Sequence, residues 1–163
     1  MPRASHRVDL LLVPDDPQRI PCAEAFAEIK RAWQEAGLLA PATPSGLVQG
    51  GFRRVWLDLP DRLWLYANHQ GGYYVRCPET GGNLAPAFSA AVQEWRRGGP
   101  FTLECPRCSQ THALDAVTLA PPGAFARGAV IFSDVASLIL ADGVTEALKP
   151  VLGASREIIR RVG

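Results

Sequence analysis

The sequence has no apolar run long enough to cross a bilayer: residues 135–141, the longest run past the first strand, are broken by Ser137 and fall far short of the ~20 residues a span needs. The basic start is followed by an apolar stretch of residues 10–13 only, preceded by Asp9, which is too short for the core of a signal peptide. The expectation is a cytoplasmic protein with no membrane partner. Charge of one sign is also lacking. Seventeen basic against sixteen acidic side chains leave a net charge of +1, so bulk field alone draws in no polyanion. Lysine occurs only at positions 30 and 149. Enzyme signatures are missing as well: there is no Gly-rich phosphate loop, no His-Glu-x-x-His and no Gly-x-Ser-x-Gly elbow. The three histidines are His6, His69 and His112, and the first two read as solvated side chains, one in a leader and one before a turn. No catalytic residue is proposed from the sequence, and a non-enzymatic protein is expected. No period of about 20 to 50 residues repeats, which excludes a solenoid.

What is present fits an ordinary folded chain. At 163 residues it buries roughly two-thirds of its unfolded surface without needing a metal merely to fold. A content of 47% hydrophobic and 20% charged residues excludes disorder as its main feature. Arg7–Pro14 reads as a buried strand that ends at a Pro-Asp-Asp-Pro turn. Cys22, Phe26, Ile29, Trp33 and Ala36 recur at helical spacing behind Pro21, with Gly37 placed for a left-handed cap; Cys22 is expected to be a small buried hydrophobe on that stripe. Residues 40–51 read as a Pro- and Gly-rich hinge.

From residue 54 the period changes to two, and three strands up to Cys77 read as an antiparallel meander. A helix over residues 84–97 capped by Asn83 carries Leu84, Phe88, Ala91, Val92 and Trp95 inward. Gly98-Gly99-Pro100 stops it before a short strand leading to Cys105. Strands are expected near 113–119, 128–132 and 155–162, with a last helix capped by Asp142 and limited by Pro150. The expected architecture is a single α+β domain over 1–163, with a mixed or mainly antiparallel sheet and about three helices.

Four cysteines in a cytosolic chain point to metal ligation, redox chemistry or packing rather than to disulfides. Cys105-Pro106-Arg107-Cys108 places two thiols at the spacing that lets one tight turn bind one metal. Cys77-Pro78-Glu79-Thr80-Gly81 looks like a second copy with Thr80 in place of its second cysteine, and both turns follow strands. The pair resembles the zinc ribbon family, in which two Cys-Pro-x-Cys-Gly knuckles clamp one ion. The resemblance spans residues 73–119 and implies a degenerate zinc-ribbon-like subdomain. It implies Cys77, Cys105 and Cys108 as ligands. His112, in Cys105-x-x-Cys108-x-x-x-His112, is the nearest substitute for the fourth, although it stands where a strand begins and its side chain is free to point outward.

Three states stay open: a closed zinc site with His112, an open site of three thiolates and water, and a metal-free relic of the knuckles. The function expected is a protein-interaction or scaffold module with a structural or relic zinc knuckle, and its partner is another protein. Two alternatives remain. Arginine pairs beside aromatics at Arg53-Arg54 with Trp56 and at Trp95 with Arg96-Arg97, plus Arg160-Arg161, suit a nucleic-acid-binding accessory protein. A Cys-x-x-Cys pair also suits thiol redox chemistry, but the stretch after Cys108 lacks helical periodicity.

Overall fold

A computed structural model describes residues 7–39 and 46–163. The chain divides into two compact units, one made of Met1–Gly71 and Ala124–Gly163 and the other of Gly72–Gly123. Among the described residues the structure is α+β with four α-helices, and every strand pairing is antiparallel.

The first unit is built on β1 (Arg7–Pro14), whose unbroken apolar centre suits a strand covered on both faces. It lies between β10 (Ser155–Val162) and β9 (Ala129–Ser133), and β2 (Arg54–Asp58) completes the order β10-β1-β9-β2. Leu11 stands opposite both Ile158 and Ile131, which fixes the alternation across the sheet. On one face Leu10, Leu12, Val55, Val130 and Phe132 meet Phe26 and Trp33 of α1 (Ala23–Glu35). Val144, Leu148, Val151 and Leu152 from α3 (Val144–Ala147) and α4 (Lys149–Leu152) join the same core. On the other face Leu11, Val13, Ile131 and Ile158 pack with Tyr66, Ala124 and Ala126, which come from the pair β3 (Trp64–Tyr66) and β8 (Ala124–Ala126). Gly37 ends α1 with φ 72°, and the bonds from Gly37 N–H to Gln34 O and from Leu38 N–H to Trp33 O make the two-bond left-handed cap.

The second unit holds β4 (Tyr74–Arg76), α2 (Ala85–Arg96), β5 (Thr102–Glu104), β6 (Thr111–Ala113), a 3-10 turn Leu114–Ala116 and β7 (Thr118–Ala120). β4 pairs with β7 and β5 with β6. Leu84, Phe88 and Val92 of the helix stripe are buried, with Val75, Leu103, Leu114, Val117 and Leu119 as neighbouring core residues. Tyr73 sits edge-on to Phe88 and Trp95 edge-on to Phe101, with ring centroids 6.3 and 5.1 Å apart. Leu84, not the expected Asn83, occupies the cap position of α2 and makes no side-chain cap bond; Asn83, one residue earlier, accepts the Ala85 N–H through Oδ1 at 3.0 Å.

Several sequence expectations are corrected. The strands from residue 54 to Cys77 form no meander: β2, β3 and β4 pair instead with the later β9, β8 and β7. Period-two alternation identifies a strand but carries no information about its partner. Cys22 is exposed, because it stands just outside α1 at the cap position rather than on the inward stripe. Residues 40–45 of the expected hinge lie outside the described residues, as does His6, while Leu47 and Val48 are buried core residues and Val48 bridges Leu140. The stretch 113–119 is broken by the 3-10 turn. The last helix splits into α3 and α4 at Leu148, where Pro150 opens the second turn, and Gly143 with φ 87° rather than Asp142 occupies the cap.

Candidate metal centre

The site is made by two turns, each leaving a strand at a cysteine. In the first, the Cys77 N–H donates to Gly82 O at 2.9 Å and the Gly81 N–H to Cys77 O at 2.8 Å. In the second, the Cys105 N–H donates to Gln110 O at 2.8 Å and the Ser109 N–H to Cys105 O at 3.0 Å. The fourth residue after each cysteine is left-handed, Gly81 at φ 72° and Ser109 at φ 62°. Glycine meets that demand freely, whereas Ser109 is one of two described non-glycine residues with positive φ.

The equivalence extends outward. Arg76 bridges Asn83 as Glu104 pairs with Thr111, and the Leu84 N–H donates to Val75 O at 2.7 Å where Leu103 pairs with His112. Thr80 therefore corresponds to Cys108, and Leu84 to His112.

Cys77, Cys105, Cys108 and His112 come together, and their ligand atoms all lie within 4.8 Å of one another. His112 Nε2 is 3.2 Å from Cys108 Sγ and 3.9 Å from Cys77 Sγ. Ligand atoms about 3.5–3.8 Å apart complete a tetrahedral shell at zinc bond lengths, so a small contraction closes this one. Cys77, Cys105 and His112 are buried, and Cys108 is half-buried. His112 turns inward because Thr111 and Ala113 on either side of it in β6 take the exposed face. The donor set fits a metal ion: three sulfurs and an imidazole are the ligands of a closed Cys3His centre.

Backbone N–H groups point at the sulfurs. Cys105 Sγ accepts from the Arg107 and Cys108 N–H groups at 3.3 and 3.5 Å. The Thr80 side chain favours the Cys77 thiolate most, with lesser help from the Thr80 and Glu79 N–H groups and from Cys105. These donors outweigh burial and lower the Cys77 thiol to about 6. At Cys108 the Gln110 N–H favours the thiolate, but burial and the nearby Cys105 and Cys77 sulfurs prevail and the net shift is upward. Arg107 reaches across to the other turn: a Cβ placed on Gly82 would meet its Cγ at 3.0 Å.

The Cys105-x-x-Cys108 pair occupies the turn joining β5 to β6, not the first turn of a helix. Thiol activation by a helix dipole is therefore unavailable to it. His69 is exposed, with Nε2 3.3 Å from Leu65 O, and takes no part in the cluster.

Of the arginines read as a polyanion patch, Arg54 lies over the Trp56 ring at 5.3 Å, Arg97 pairs with Glu94 at 3.7 Å, and Arg160 donates to Asp9 at 3.0 Å. Sequence reading missed that Thr80 Oγ1 accepts the Gly82 N–H at 3.2 Å within the first turn. The visible signal was a hydroxyl residue at the ligand position of a Cys-Pro-x-x-Gly turn.

No protein-family model matches this sequence, and no curated protein or solved structure matches it. Among the described residues no helix is long and apolar enough to cross a membrane.

Proposed function

We propose that the Gly72–Gly123 unit is a degenerate zinc-ribbon-like module in which Cys77, Cys105, Cys108 and His112 hold one structural zinc ion. The observation that carries this reading is the convergence of four ligand atoms within 4.8 Å from two turns with the same hydrogen bonding. Zinc is favoured over harder cations because thiolate and imidazole donors suit a borderline-soft ion. When bound, the metal supplies cross-linking of the two turns and no chemistry on a substrate. With four protein ligands the shell has no open position for one, which separates this reading from a catalytic site of three thiolates and water.

On this reading the protein works by contact with another protein. Tyr74, 65% exposed on β4, is a large side chain of the kind that anchors interfaces. A nucleic-acid role has less support, since Arg54, Arg97 and Arg160 already engage groups of the protein itself. Salt-sensitive binding of a generic DNA or RNA probe would reverse that judgement.

The deciding measurement is elemental analysis of protein purified without added metal. One zinc per chain is expected; none, with undiminished stability, rejects the module. Turnover of a small molecule that depends on Cys105 would sink the non-enzymatic reading.

A further inference from the structure

The four-stranded sheet ends on β10 at one side and on β2 at the other. An unpaired sheet edge is a row of backbone donors and acceptors that templates another strand, and folded proteins cover it or break it up. At β10 a cover is present: the Arg161 N–H donates to Asn68 Oδ1 at 2.8 Å and the Gly163 N–H to Gln70 Oε1 at 2.9 Å, so two side chains take amides that β1 does not use. β2 pairs with β9 along one edge. Among the described residues no strand and no side-chain acceptor takes up its other edge.

The five residues of β2, Arg-Val-Trp-Leu-Asp, carry a cation at one end, an anion at the other and three apolar residues between. Laid antiparallel against a second copy about a two-fold axis at Trp56, the strand sets Arg54 opposite Asp58 twice, Val55 opposite Leu57 twice and Trp56 opposite its own counterpart. Opposed residues then differ by an even number of positions. Outward amides of one copy therefore meet outward carbonyls of the other, as an antiparallel ladder requires. Opposite charges directly across a ladder stabilise it and like charges weaken it. Sliding the register by two residues either way pairs no cation with an anion within the strand, and a parallel arrangement in register sets Arg54 against Arg54.

We propose that the outer edge of β2 binds a second copy of this chain, the two strands pairing antiparallel about Trp56 with two Arg54–Asp58 contacts fixing the register. Both charged groups are available for it. Arg54 is exposed, with its guanidinium over the Trp56 ring at 5.3 Å on the strand's own face. Asp58 accepts the Tyr66 hydroxyl through Oδ2 at 2.7 Å, which leaves Oδ1 for a second donor. Five residues a side make a small interface, so the dimer is a weak one of the transient class. The proposal stands apart from the metal-binding reading, since β2 belongs to the unit that carries no ligand of that site.

Sedimentation equilibrium of the full chain, up to about 1 mM, reads the association directly. A monomer–dimer equilibrium that weakens as salt is raised is expected. Arg54→Asp and Asp58→Lys each turn two attractive pairs per dimer into repulsive ones, and each should raise the dimer dissociation constant roughly tenfold or more. Mixing the two variants should restore the affinity of the unsubstituted chain, because every opposed pair then joins opposite charges again. Where Asp58→Lys fails to fold for want of the Tyr66 bond, Asp58→Asn takes its place, since it keeps an acceptor for that hydroxyl. Arg54→Asp should then bind Asp58→Asn more tightly than it binds itself. An unsubstituted chain that stays monomeric overturns the proposal and leaves the edge to a strand of a different protein. A dimer indifferent to both reversals also overturns it, as does a mixture that associates no better than Arg54→Asp alone.

Discussion

Leu84 and His112 hold the same place in two equivalent turns, each opposite the residue two before its cysteine: Leu84 against Val75, His112 against Leu103. One position has kept an apolar residue for the core of its unit, and the other presents an imidazole to three sulfurs. If the cluster holds an ion, its fourth ligand would come from beyond the second turn instead of from within the first.

That relocation is testable by moving the ligand back. His112→Ala alone should weaken metal binding roughly a hundredfold or more, since it removes a direct ligand where loss of an outer partner already costs 10- to 100-fold. Adding Thr80→Cys should recover binding and change the Co(II) spectrum from three sulfurs and one nitrogen to four sulfurs. A double variant that binds no better than His112→Ala would mean that position 80 does not reach the ion.

Metal removal should act on one unit. Chelation is expected to reduce hydrogen-exchange protection of the Gly81, Cys105 and Ser109 amides by about tenfold or more, because their acceptors lie within the turns that a bound ion would tie together. Amides of β1 and β9, held by the core around Leu10 and Phe132, should change little. Uniform loss of protection would contradict this.

Tyr66 is buried and donates its hydroxyl to Asp58 Oδ2 at 2.7 Å. Burial, then the hydrogen bond and charge of Asp58, raise its pKa well above 10.0. A phenol whose folded pKa is raised stabilises the fold fully below its unfolded pKa and loses that contribution as pH rises toward the folded value. Tyr66→Phe should cost about 1–2 kcal/mol at neutral pH, and the gap from the unsubstituted protein should narrow above about pH 10. Urea unfolding at pH 7 and at higher pH measures both effects.

Asp9 is 4% exposed, accepts the Asp134 N–H at 3.1 Å and pairs with Arg160 at 3.0 Å. Asp9→Ala removes both bonds and leaves Arg160, whose side chain is 28% exposed, without its carboxylate. Because Arg160 retains access to water, the expected loss is about 1–3 kcal/mol, below that of a fully buried pair. Arg160→Met added to Asp9→Ala should recover part of it, because the unpaired guanidinium is then gone, and the two single variants complete the double-mutant cycle.

Elements with a strong local pattern were legible in the sequence. The unbroken apolar centre of β1, the stripe of Phe26 and Trp33 with Gly37 behind it, and β10 are found where periodicity and turn chemistry place them. Pairing was not legible: β2, β3 and β4 follow one another in the chain, yet each finds its partner far downstream, and nothing in alternation encodes that choice.

Cys22 failed for a related reason. A stripe continued one residue past the start of a helix points to solvent. The cysteine spacing and the histidine after it pointed to the four residues whose side chains the structure gathers, because ligand spacing within one turn is local.

The pairings β2·β9, β3·β8, β4·β7 and β5·β6 are concentric in the chain, like brackets closed from the inside. Bringing two distant segments together costs entropy that grows with the free chain between them, about 0.6 kcal/mol for each doubling. Closing β5 on β6 first shortens the chain that β4 and β7 must then span, and so on outward. The innermost bracket carries Cys105, Cys108 and His112. The least costly order of assembly therefore gathers three of the four candidate ligands in a short hairpin before Cys77 arrives from across the longer loop. An ion held there early would act as a template for the strand that follows.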